Sequence, residues 1–92
     1  MDKELNDFIE YHLKVKINNI QDLCMIAWPI LNPEAVVQRI SDNRIILTRN
    51  REKNMYLFDN SKQRISNELF GRTSYDMETK ILYTAIIKHI CG

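Results

Sequence analysis

Between residues 44 and 59, the sequence RIILTRNREKNMYLFD has two apolar arms separated by a polar centre. β-Branched and aromatic residues favour strands, so we predict an antiparallel hairpin with strands 44–49 and 54–59 around a tip at 50–53. Alternation would give one face Ile45, Leu47, Tyr56 and Phe58, and the other Ile46, Thr48, Met55 and Leu57. The predicted register places Arg44 opposite Asp59. The tip lacks glycine, which favours a loop longer than two residues.

Apolar side chains at three- and four-residue steps predict two helices at the start of the chain. The first covers residues 2–16, and its apolar stripe includes His12, which we expect to be a core histidine. The second covers residues 20–28, because Asn19 is a good cap and Pro29 stops or kinks a helix.

Two further helices are predicted on either side of the hairpin. Asn32-Pro33 is a strong helix start, so we predict a third helix at 33–41 that turns Val36, Val37 and Ile40 toward the core. A long apolar helix at 75–90 follows, capped by Thr73 or Ser74. Residues 65–70 fit either one helical turn or a short extended piece. The fold class is therefore α+β and mostly helical, with three N-terminal helices, one antiparallel β-hairpin (44–59) and a long apolar C-terminal helix.

Length and composition indicate one domain, 1–92, of ordinary globular composition, with 45% apolar and 27% charged residues. The longest apolar run, 23–31, has nine residues, far fewer than the ~20 of a membrane span, and the charged N-terminus is unlike a signal peptide. We therefore expect no membrane contact and a cytoplasmic protein, in the host-cell cytoplasm if the chain is viral. The net charge of +1 is uneven, because residues 38–64 hold seven basic and three acidic side chains.

Motifs for catalysis are missing from the sequence. With two glycines, Gly71 and Gly92, the chain has no phosphate-binding loop and no nucleophile elbow. Cys24 and Cys91 form no CxxC pair and no metal-ligand spacing, so we expect reduced, buried thiols. The chain is therefore predicted to be no enzyme, with no cofactor, no metal and no small-molecule substrate.

The order of three helices, a basic-tipped hairpin and an apolar helix resembles the winged-helix variant of the helix-turn-helix, at the level of topology. That resemblance implies a small transcription regulator that binds double-stranded DNA, with 33–41 as recognition helix, the hairpin as wing and the last helix forming a homodimer. Arg and Lys on a protruding loop can neutralise phosphates. The candidate nucleic-acid-binding residues are Gln38, Arg39, Arg44, Arg49, Arg51 and Lys53.

An alternative from another class is a small viral or mobile-element-type inhibitor or adaptor that binds a host protein without contacting nucleic acid. Its support is the surplus of apolar side chains on a hairpin whose strand edges are open to a partner. The candidate protein-interface residues are Ile46, Met55 and Leu57 of the hairpin, Trp28, and Tyr83 and Ile87 of the last helix.

Overall fold

A computed structural model describes residues 1–49, 52–61, 64–65, 69–71 and 74–92. Its elements, in chain order, are α1 Lys3–Leu13, α2 Ile20–Leu31, β1 Val37–Ser41, β2 Arg44–Arg49, β3 Glu52–Asp59, β4 Arg64–Ile65 and α3 Tyr75–Cys91. Within these ranges, no helix has the length and apolar character needed to cross a membrane.

Short polar side chains define where the helices begin. The carboxylate of Asp2 accepts from the Leu5 N–H at 3.1 Å, and the amide oxygen of Asn19 accepts from the Asp22 N–H at 3.0 Å. Ser74 caps α3 in the same way, through the Met77 N–H at 3.2 Å. Each cap satisfies one of the free N–H groups of a first turn. The predicted caps Asn19 and Ser74 are confirmed.

Pro29 lies inside α2 and does not end it. The helix continues to Leu31, and the Asn32 N–H donates to the Trp28 carbonyl at 2.9 Å. Proline lacks an amide hydrogen, so one backbone hydrogen bond is missing in this last turn while its neighbours persist. The second helix therefore extends three residues beyond its predicted end at 28.

The predicted third helix is wrong, and with it the fold class of three N-terminal helices and a single hairpin. Residues 37–41 form β1, which pairs antiparallel with β2 in a three-stranded sheet ordered β1–β2–β3. The Asn32-Pro33 start signal produces only a turn, in which the Ala35 N–H donates to the Asn32 carbonyl at 2.8 Å. The physical reason is that β-branched Val36, Val37 and Ile40 suit a strand, and β2 offers them a pairing edge.

The hairpin register differs from the prediction by two residues. Arg49 pairs with Glu52, Ile45 with Tyr56 and Arg44 with Leu57, so Arg44 is not opposite Asp59. Strand β3 begins at Glu52, two residues earlier than predicted, and the predicted longer loop is wrong. Because the shift is two residues, the side chains keep their predicted faces. Beyond the hairpin, β4 pairs with the end of β3, Ile65 opposite Phe58. The rest of the prediction for 65–70 falls partly on residues 66–68, outside the described residues.

Helix α2 packs on one face of the sheet, which we call the inner face, and α3 connects α2 to α1. Ile45 and Leu47 lie on the inner face and are fully buried. They belong to one apolar cluster with residues of all three helices, among them Ile9, Ile20, Leu23, Trp28, Leu82 and Ile86. Helix α3 matches its prediction closely and packs on α2 and α1. None of the described residues forms a layer over the opposite face of the sheet, and the site lies there.

Candidate binding surface on the open sheet face

The open face of the sheet, here the outer face, is built from alternate residues of three strands. Its side chains are those of Gln38 on β1, Arg44, Ile46 and Thr48 on β2, and Lys53, Met55 and Leu57 on β3. Gln38, Ile46 and Met55 form a cross-strand row in the middle. Arg44 lies in the row at one end, between Ser41 and Leu57, and Lys53 lies opposite Thr48 at the other.

Apolar side chains occupy the centre of the outer face and are open to solvent. Met55 is 54% exposed and Leu57 is 38% exposed, whereas Ile45 and Leu47 on the inner face of the same sheet are fully buried. Ile46 is half-buried. Val36 and Ile40, before and within β1, add two more exposed apolar side chains. Such contiguous apolar surface on a folded chain marks a site of interaction.

The candidate nucleic-acid-binding residues do not form one cluster. Arg44 and Lys53 are exposed on the outer face, and neither makes an ion pair with another described side chain. Arg39 instead pairs with Asp42 of its own chain at 3.1 Å, at the turn between β1 and β2. The Arg49 guanidinium donates to the Leu69 carbonyl at 3.3 Å, on the side of the helices. Arg51 lies outside the described residues.

The candidate protein-interface residues also divide into two groups. Ile46, Met55 and Leu57 lie together on the outer face. Trp28 is buried, and its indole N–H donates to the Thr48 carbonyl at 3.1 Å. Tyr83 is buried as well and ties α3 to α1, because its hydroxyl donates to the Asn6 side chain at 2.7 Å. Ile87 is half-buried beside a groove of about 760 Å³ between α1 and α3. Homodimerisation through α3 stays a prediction.

The sequence analysis did not predict the positions of two residues in or next to the sheet. Ile40 was expected in the core of a helix, yet it is 46% exposed at a β-bulge of β1. Gln21 is fully buried in α2, and its side-chain nitrogen donates to the carbonyls of Ser41 and Arg44 at 3.0 and 3.2 Å. Gln21 therefore fixes the turn between β1 and β2 to the helical layer. No local sequence pattern predicts a hydrogen bond between residues so far apart in the chain.

Burial changes the acidity of one of the two cysteines. Burial raises the pKa of the Cys24 thiol from 9.0 to about 12, and the nearby Glu78 carboxylate adds to the effect. A thiol that stays protonated is a poor nucleophile.

Cys91 is exposed, which corrects the expectation that both cysteines are buried. His12 is exposed beside Phe8 and Tyr11, which corrects its placement in the core. No group of three His, Cys, Asp or Glu side chains suited to a metal occurs in the described part of the chain.

Comparisons with protein-family models, with curated proteins and with solved structures found no match.

Proposed function

We propose that the chain is a non-enzymatic binding protein whose outer sheet face binds a partner protein. The observation that carries this proposal is the arrangement of exposed apolar side chains between two exposed cations. Ile46, Met55 and Leu57 provide the apolar centre, and Arg44 and Lys53 lie at its ends. The partner surface that fits this face is an apolar patch flanked by acidic side chains.

The energetics favour the apolar centre as the main source of affinity. Removing apolar surface from water contributes roughly 25 cal/mol per Å², and Met and Arg are enriched in the cores of protein interfaces. The two cations act mainly on partner choice and on the rate of encounter, because charges at the rim of an interface remain partly solvated. A sheet face already held rigid by a helical layer also loses little conformational freedom on binding.

Binding of double-stranded DNA is the second candidate. In its favour, Arg44 and Lys53 are exposed and make no ion pair with another described side chain. Against it, the segment given the role of recognition helix is strand β1, and Arg39 and Arg49 contact their own chain. Phosphate contacts supply much of the affinity of DNA-binding proteins. Two cations around an apolar centre suit a protein surface better.

The experiment compares two matched substitutions, Met55→Asp and Met77→Asp. Both side chains are about half exposed, 54% and 49%, but Met77 lies on α3, away from the outer face. Tagged wild type and both variants are used to capture partners from a lysate of the cells in which the chain occurs, with and without nuclease. Urea unfolding establishes that both variants are folded.

The proposal predicts that the wild type captures a partner protein with or without nuclease. The amount captured should fall at least tenfold with Met55→Asp and stay unchanged with Met77→Asp. The reason is that a new carboxylate at Met55 would have to be desolvated in the centre of the interface. Capture that disappears with nuclease, together with salt-dependent binding to mixed-sequence DNA, would favour the second candidate. Equal retention by both variants would rule out the outer face as the binding surface.

A further inference from the structure

Strand β1 forms an edge of the sheet, and its backbone orientation can be read from its pairing with β2. The Thr48 N–H donates to the Val36 carbonyl at 3.0 Å, and Gln38 lies opposite Ile46. In an antiparallel pair, hydrogen-bonded positions alternate along each strand. The backbone groups of Gln38 therefore point toward β2, and those of Val37 and Arg39 point away from the sheet.

The outward groups of Val37 and Arg39 form a row of backbone donors and acceptors with no hydrogen-bond partner among the described residues. The side chain that reaches this region from α2, Gln21, bonds to the Ser41 carbonyl instead. From Gln38 onward, the side chains of β1 are exposed. An edge with these properties is a template onto which another strand can pair.

Side-chain chemistry restricts what can pair with this edge. A second copy that added β1 to β1 around Arg39 would place two arginines opposite each other, and like charges directly opposite are destabilising. Arg39 pairs with Asp42 at 3.1 Å, but both side chains are exposed, so the pair contributes little and Asp42 can be exchanged for an acidic side chain of an added strand. Val36 and Ile40, 60% and 46% exposed, offer apolar contacts to alternate side chains of an added strand.

We propose that β1 accepts an extended acidic segment of the partner protein as an additional strand of the sheet. The occupant is a peptide stretch that alternates apolar and acidic residues, with an acidic residue opposite Arg39. This inference rests on the proposed function in one respect, namely that the ligand is a protein. It adds the mode of recognition, in which main-chain hydrogen bonds to Val37 and Arg39 extend the sheet.

Arg39→Pro and Arg39→Ala separate the backbone from the side chain. Both remove the guanidinium, but only proline removes the outward N–H of residue 39. That N–H takes no part in pairing with β2, and proline is tolerated on edge strands at such positions. The preceding Gln38 is already extended, as a residue before proline prefers. Urea unfolding establishes that each variant is folded.

The probes are fluorescent eight-residue peptides that alternate valine with glutamate, and the same peptides with lysine in place of glutamate. Fluorescence anisotropy measures their affinity for the wild type and the variants. We expect the acidic probe to bind more tightly than the basic one. Arg39→Ala should weaken binding a few-fold, and Arg39→Pro should weaken it about tenfold further. An acidic probe N-methylated on the amides that face β1 should fail to bind, a test that needs no variant.

The proposal is overturned if the acidic probe does not bind, if the methylated probe binds equally well, or if Arg39→Pro and Arg39→Ala bind alike. Sedimentation that shows a dimer broken by Arg39→Pro would also overturn it, since a second copy would then occupy the edge. Met77→Asp should bind the probe as the wild type does, because Met77 lies on α3 and not on the sheet. If the acidic probe does not bind the wild type but Met55→Asp still loses the captured partner, strand addition is wrong and binding across the outer face stands.

Discussion

At the scale of single residues, the clearest effect of the fold is on Cys24. The thiol is fully buried in α2, and burial together with the Glu78 carboxylate raises its pKa from 9.0 to about 12. In the unfolded chain the same thiol ionises near its ordinary value. Between these two pH values the unfolded state therefore binds fewer protons than the folded state, and the free energy of unfolding must fall as the pH rises.

We predict that the free energy of unfolding falls above pH 9 more steeply in the wild type than in Cys24→Ala. One thiol accounts for a slope of at most about 1.4 kcal/mol per pH unit. Urea unfolding at several values from pH 8 to pH 10.5 measures it. The phenol of Tyr56, whose pKa burial also raises, acts in the same direction, so Tyr56→Phe is the matched control. Identical slopes for wild type and Cys24→Ala would contradict the burial of Cys24.

At the scale of elements, the connection between α2 and the sheet decides how firmly β1 is held. Gln21 donates from the buried side of α2 to the carbonyls of Ser41 and Arg44, at the turn between β1 and β2. We predict that Gln21→Ala destabilises the chain by about 1–3 kcal/mol, because two carbonyls lose their shared donor in a partly buried place. Gln38→Ala, on the exposed outer face, should change the stability by less than about 0.5 kcal/mol. Urea unfolding of both variants tests this, and equal losses would contradict the bridging role of Gln21.

Element by element, the sequence predicted best where local signals and burial agree. Helix α3 and the caps Asn19 and Ser74 follow from their own spacing, and the two faces of the hairpin follow from alternation. Residues 37–41 were misassigned because the Asn32-Pro33 cap suggested a helix, whereas the decisive interaction is pairing with β2. The register was two residues off because no glycine marked the turn, so the start of β3 at Glu52 had no local signal.

At the scale of the whole molecule, α2 packs on one face of a three-stranded sheet, and no described residue forms a layer over the other face. The apolar half of the candidate surface was predictable, since Ile46, Met55 and Leu57 share a face by alternation alone. Its charged half was only partly predictable, because Arg39 and Arg49 are held by Asp42 and by the Leu69 carbonyl. The Arg39–Asp42 pair is local, three residues apart across the β1–β2 turn, which the sequence did not predict. The Arg49 contact depends on tertiary structure, and no spacing within the sequence reveals it.

Both proposals depend on residues 37–41 being an edge strand, and amide hydrogen exchange at β1 tests that most directly. Measured residue by residue by NMR, the Gln38 amide should exchange slowly, because it points toward β2. The amides of Val37 and Arg39 should exchange quickly, because they point outward. Uniform protection from Val37 to Ser41, as in a helix or a strand covered on both edges, would contradict the open edge and the surface built beside it.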